Sequence, residues 1–277
     1  MQLRLRKVTQ FAAAAALLIG GGCRKAETGP TVLTFYAPCG MEMPFIELEA
    51  LFEKSHPGVD VNLLLDNAHI LTERVMDSGE RPDLVASPGG HELARLVSAG
   101  LIKPADLHPF TQLDLCLFVP RANRAGVTSM ADLAKAEVKV VAVADPEKTS
   151  IGHFTVEALK KAGLWERIQA KVVITGDASQ TYKHVAGEKA DASFAYRSCP
   201  LKTAPDKIEY SRVRVIGSVP AEFYGPAYAT IAVMATSAQR ALADEFVQLM
   251  FSSQGLQILA KYDMPCLEQA GAAKGAP

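Results

Sequence analysis

The chain has 277 residues, 49% of them apolar, enough for one large or two medium domains around a sizeable core. Its 29 lysines and arginines are balanced by 30 acidic residues, a formal net charge of −1. That balance leaves no basic surplus, which argues against nucleic acid or an acidic membrane surface as partner.

The first residues read as an export signal. Arg4, Arg6 and Lys7 form a positive start, Phe11 to Ile19 form a short apolar run, and Gly20, Gly21 and Gly22 lead into Cys23. Residues 1–22 are therefore expected to be a signal peptide, and the apolar run is too short to span a bilayer. A small residue directly before a cysteine resembles a bacterial lipoprotein processing site. That resemblance implies lipidation of Cys23 as the first mature residue, although Gly20 stands where a leucine is usual. Residues 23–30 read as the lipidated tether of a protein held in the periplasm or at the cell surface. Disulfides are permitted there. Four other cysteines, Cys39, Cys116, Cys199 and Cys266, leave the pairing open.

Beyond the tether, strands and helices alternate. TVLTFY (31–36) is expected as a strand, followed by a helix over 44–57. Phe45, Leu48, Leu51 and Phe52 share one face of that helix, and Pro44 suits its first position. A strand over 58–65, a helix over 69–79, a short strand over 83–87 and a helix over 91–100 follow. LDLCLFVP (113–120) and KVVAVAD (139–145) read as buried strands. Next come a helix over 153–168, a strand over 171–175, a helix near 179–188 and a strand over 190–196. YATIAVMA (228–235) is a late strand, and 237–262 forms one or two closing helices. Residues 269–277 read as a disordered tail. Such interleaving implies a mostly parallel α/β architecture.

Four segments carry a resemblance. VAVADPEKTSIGHFTVEALKKAGLWERI (141–168) is a strand, an Asp-Pro-Glu turn, a glycine and a helix ending near a Gly-x-Trp. GERPDLVAS (79–87), ADASFAYRS (190–198) and FSSQGLQILAKYDM (251–264) complete the set. In this order they resemble the periplasmic solute-binding proteins of ABC importers, specifically the molybdate-binding type, over residues 31 to 265. The resemblance implies a type II periplasmic-binding-protein fold, two α/β lobes with a ligand cleft between them. Lobe I would comprise 30–112 plus 229–268, and lobe II 113–228. It also implies delivery of a small inorganic ligand, a tetrahedral oxyanion such as molybdate or tungstate, to a membrane permease by a monomer without a cofactor.

The same resemblance places the ligand groups. The family's first serine falls on Gly40, next to Cys39, and its second near Ala68, with Asn67 and His69 beside it. Backbone N–H groups fall on Ile151 and Ala178, and the ligand tyrosine on Tyr196. Both serine hydroxyls are therefore missing, and Asn67 or Ser150 is expected to replace them. Convergent neutral donors suit an oxyanion, whereas Glu42 and Asp66 near the same loops would repel one.

A second reading uses Cys39, His69 and Cys199 as ligands for a soft metal ion or metalloid, with Met41 and Met43 as thioether candidates. A third takes Cys39 and His69 as a thiol nucleophile and base, but no orienting group follows from the sequence. Cys116 lies in an apolar strand and is expected in the core. His91 and His153 each begin a helix and suggest no partner. SPGG (87–90) reads as a turn without the lysine of a phosphate-binding loop.

Overall fold

Thr31–Pro38 forms β1, which from Phe35 to Pro38 is buried on both faces. Leu33, Phe35 and Ala37 enter one core cluster and Tyr36 enters another. A strand covered on both sides belongs at the centre of a layered sheet. β1 accordingly lies between β2 (Val59–Asp66) and β3 (Leu84–Ser87), parallel to both. Antiparallel β10 (Ala227–Val233) and β4 (Leu107–Leu113) complete the order β2-β1-β3-β10-β4. The computed structural model describes residues 29–197 and 212–267.

Helices cover both faces of this sheet. α1 (Glu42–Ser55) buries Phe45, Leu48 and Phe52, spaced to share one face. Phe246 of α7 (Arg240–Met250) packs against Phe35 and Phe52 at ring distances of 5.4 and 5.2 Å. α8 (Ser253–Lys261) adds Leu259 to the same cluster. On the other face, Leu71 and Val75 of α2 (Ala68–Asp77) meet Leu93 and Leu96 of α3 (His91–Ser98) over Tyr36 and Val85. Asp83 locks the layer: one oxygen accepts from Thr34 N–H at 2.9 Å and the other from the Ser237 hydroxyl at 2.7 Å.

The second sheet repeats the plan. β5 (Leu115–Pro120) pairs antiparallel with β8 (Ser193–Tyr196) and β9 (Val213–Ser218), and β6 (Val141–Ala144) is parallel to β7 (Val172–Thr175). Ala142 N–H donates to Ala192 C=O at 3.0 Å, and Asp191 N–H to Val140 C=O at 2.8 Å, joining the two pieces. The combined order β7-β6-β8-β5-β9 has three parallel strands then two antiparallel ones, as in the first sheet. α4 (Ser150–Lys161) covers one face through Ile151, Ala158 and Leu159, and α6 (Ala178–Ala186) the other through Val185. The chain crosses between the sheets twice, at Asp114 and between β9 and β10. These are two α/β lobes.

Four expectations need correction. The run 113–120 is not one strand: Asp114 separates β4 from β5, because the chain changes sheets there. β4 and β9 were not anticipated; both are edge strands with mixed composition. The helix over 153–168 splits into α4 and α5 (Trp165–Ile168), since Gly163 takes a left-handed φ of 66° and Leu164 N–H caps back to Leu159 C=O. α1 starts at Glu42, so Pro44 is third in the first turn rather than first, where its missing N–H still costs no intrahelical bond. Cys39, Cys116 and Cys266 are free thiols. Cys23, Cys199 and the expected tail 269–277 lie outside the described residues. No helix among the described residues is long and apolar enough to cross a membrane.

Candidate functional site

The parallel strands deliver the candidate loops. β1 runs into the turn Cys39–Met41 before α1, β2 into Asn67 before α2, and β3 into Pro88–Gly90 before α3. In the other lobe β6 leads to the start of α4, β7 to the start of α6, and β8 ends at Tyr196. Carboxyl ends of strands followed by helix starts are natural anion sites, because first-turn N–H groups have no intrahelical acceptor.

The start of α4 is set against the end of β6. A Cβ on Gly152 would stand 2.2 Å from Ala144 C=O and 2.7 Å from Asp145 C=O, so only glycine permits this approach. Thr149 caps the helix, its Oγ1 accepting from Gly152 N–H at 3.1 Å. The result holds Ser150, fully buried, against the start of α3 in the opposite lobe.

There the two lobes meet. His91 N–H donates to Ser150 Oγ at 3.0 Å. Ser150 N–H donates to Glu92 Oε1 at 2.9 Å, and the Ser150 hydroxyl donates to Glu92 Oε2. The Ser87 hydroxyl also donates to Oε2, at 2.8 Å. Glu92 is only 2% exposed, and among the described residues no cation forms an ion pair with it. The His91 ring stacks on His153 of α4 with centroids 5.2 Å apart, and its Nε2–H donates to Glu147 C=O at 3.1 Å. Lys148 reaches Glu73 across the lobes at 3.7 Å, both at the surface.

Tyr196 closes the same spot. Its ring is buried, and its hydroxyl has no hydrogen-bond partner. A Cβ on Gly89 would lie 2.9 Å from that oxygen and 2.7 Å from Ser150 Oγ, which puts both hydroxyls beside the β3–α3 loop. Burial holds the phenol well above its usual range, and the nearby Glu92 and Tyr224 add to this. The group is therefore a neutral O–H donor with no acceptor assigned to it.

The remaining predicted residues stand on the loops after β1 and β2 and in the first turns of α4 and α6. Gly40 is half-buried, and an added Cβ there would meet nothing within 4 Å, so packing does not exclude the family's serine. Asn67 stands at the N-cap of α2, but its side chain makes no capping bond, and Ala68 and His69 behind it are buried. Asp66 Oδ1 accepts from Asn67 N–H at 2.8 Å. Ile151 and Ala178 sit in the first turns of α4 and α6. Asp177 caps α6 through Gln180 N–H at 2.9 Å.

Cys39 is exposed at the surface, yet desolvation by the surrounding protein raises its thiol above the usual range, and the Asp66 and Asp177 carboxylates add to the rise. Asp66 ends β2 in one lobe and Asp177 precedes α6 in the other. A raised thiol is a poorer nucleophile and a poorer metal ligand at neutral pH. Among the described residues no three His, Cys, Asp or Glu side chains are grouped to hold a metal ion. Cys116 is a core residue as expected, and burial pushes its thiol up to about 11.

Sequence reasoning missed Glu92, Ser87 and Gly89, and gave His91 and His153 no partners. One signal was available. Glu92 is four residues before Leu96, on the buried face of α3, where a carboxylate is out of place unless it is hydrogen-bonded.

The comparisons agree with this architecture. The family described as bacterial extracellular solute-binding protein matches residues 33–264. YvgL of Bacillus subtilis (strain 168), whose name calls it an ABC transporter substrate-binding lipoprotein, is 23% identical over 257 residues, covering 91% of this chain and 95% of its own. The molybdate-binding protein ModA of Rhodobacter capsulatus is 27% identical over 146 residues, 51% of this chain and 53% of its own. The periplasmic molybdate-binding protein of Azotobacter vinelandii superposes with a TM-score of 0.66 at 17% identity, over 84% of this chain and 98% of that one. The matched span takes in both sheets and the loops at their strand ends, and on that ground the chain belongs to the bacterial extracellular solute-binding proteins.

Proposed function

We propose that the protein captures a tetrahedral oxyanion of the molybdate or tungstate kind outside the cytoplasm and hands it to an ABC permease. The observation that carries this reading is Tyr196: a buried, neutral O–H donor without an acceptor, at the junction of the two lobes. A buried donor left unpaired costs about 1–3 kcal/mol, and an anionic oxygen arriving there recovers it. Ile151 N–H, Ala178 N–H, the backbone around Cys39 and Gly40, and Asn67 with Ala68 are the further donors in this scheme. The similarity to ModA supports the choice of ligand. Lobe I (30–112 plus 229–268) and lobe II (113–228) would close about the two crossovers as a hinge. The protein would act as a monomer tethered by lipid on Cys23.

The test is thermal denaturation and isothermal titration with molybdate, tungstate and sulfate. A rise in Tm with molybdate is expected, with affinity reduced about tenfold in Tyr196→Phe. No shift with any of the three anions, while copper, zinc or arsenite shifts the transition, would replace this reading by the metal site of Cys39, His69 and Cys199. The raised Cys39 thiol favours the oxyanion.

A further inference from the structure

Glu92 has no place in a site built only from neutral donors. It is an anion from lobe I, and it holds the N–H and the hydroxyl of Ser150, two donors at the α4 start in lobe II. Ser87 O–H completes its shell, so its three described contacts are all donors, as a carboxylate requires. Glu92 thus occupies, as an internal anion, the end of the α4 helix that an incoming oxyanion would use. The Tyr196 hydroxyl, near enough to feel its charge, is left over.

Two unpaired negative charges cannot share this buried pocket. In a site screened from water like charges repel strongly, and no ion-paired lysine or arginine offsets this among the described residues. A proton between them removes the conflict. The protonated carboxyl then offers its O–H to a ligand oxygen, or a ligand that keeps its own O–H donates it to the carboxylate. The two descriptions are one composition: anion, proton and Glu92. We propose that oxyanion binding at this cleft takes up one proton from solvent, and that Glu92 is the residue that requires it. This inference rests on the oxyanion reading above and specifies the ionic form that the site takes.

Other groups around Glu92 are Ser87 on β3, Ser150 on α4 and Tyr196 on β8, none of which titrates near neutrality. His91, its neighbour on α3, and His153, stacked on His91, are ionisable side chains beside it, and their contribution must be separated from that of Glu92. Lys148 is paired with Glu73 at the surface.

The experiment is isothermal titration of the full mature chain with molybdate and with sulfate between about pH 5.5 and about pH 8, the range in which histidine changes charge. At one pH it is repeated in buffers of differing protonation enthalpy, which counts the protons without a variant. The expected result is uptake of about one proton and an affinity that rises about tenfold for each pH unit lowered. Glu92→Gln binds at least about tenfold more tightly at the alkaline end and loses the slope, while His153→Gln keeps it. Proton-free binding by the parent, or a slope that survives in Glu92→Gln, overturns the role of Glu92 and leaves the oxyanion function standing. Failure of both the parent and Glu92→Gln to bind either anion overturns the function and this inference together.

Discussion

Replacement of Gly89 by alanine tests the contact between the lobes. The new Cβ would stand 2.4 Å from Ser150 Cβ, 2.7 Å from Ser150 Oγ and 2.9 Å from the Tyr196 hydroxyl. Unstrained carbon contacts lie near 3.5 Å or beyond, so the lobes must separate by about 1 Å at this point. Neither neighbour turns aside cheaply, since Ser150 is the first residue of α4 and Tyr196 is a buried ring. Hydrogen bonds of 2.9–3.0 Å across the gap, such as those of Ser150 N–H and His91 N–H, are lost when stretched that far. Two such bonds contribute about 1.5 kcal/mol each, about 3 kcal/mol of closure, which corresponds to about a hundredfold weaker ligand binding. The assays are calorimetric titration with an anion that binds the parent, and small-angle scattering with and without it. An affinity within twofold of the parent, with the same contraction on binding, would refute the assignment of Gly89 as the point where the closed lobes touch.

Two further outcomes follow from the packing and the charges. Gly152→Ala forces a methyl into Ala144 C=O and Asp145 C=O and should destabilise the protein by about 2 kcal/mol in urea, where a shift of midpoint with unchanged slope is the expected form. Asp106 is held below the usual carboxylate range chiefly by hydrogen bonds from Arg240, at 2.6 and 3.1 Å. A depressed value in the folded state stabilises above the unfolded pKa, near 3.9, and that contribution is lost as pH falls through the folded value. The Tm of Asp106→Asn should therefore lie below that of the parent near neutrality, and the gap should close below about pH 4. A gap independent of pH would contradict the ion pair as its cause.

Much of the fold was legible in the sequence because most strands of both lobes are buried on two faces. Such strands read as unbroken apolar runs, as in LCLFVP and VAVA, whatever their neighbours. Of the four edge strands, β2 and β7 were legible, and β4 and β9 were not. LHPFTQL and VRVIGS have one partner each and carry prolines, polar residues or glycine that a central strand avoids. The apolar run 113–120 concealed the crossover at Asp114, because local hydrophobicity is the same whether a strand continues or changes sheets.

The sequence by itself determined the order of strands and helices, the loops at the strand ends, and the place of Tyr196 among them. Those properties are local: period, capping, and the turn before each helix. Tertiary structure decided which groups meet. Glu92 and Ser150 are 58 residues apart and belong to different lobes, yet one carboxylate binds the other's N–H and hydroxyl. His91 and His153 likewise meet only where the two lobes pack together. No pattern within a window of residues encodes such pairs, because their contact depends on how the two lobes are set against each other. The burial of the Glu92 carboxyl group between the lobes follows from that packing.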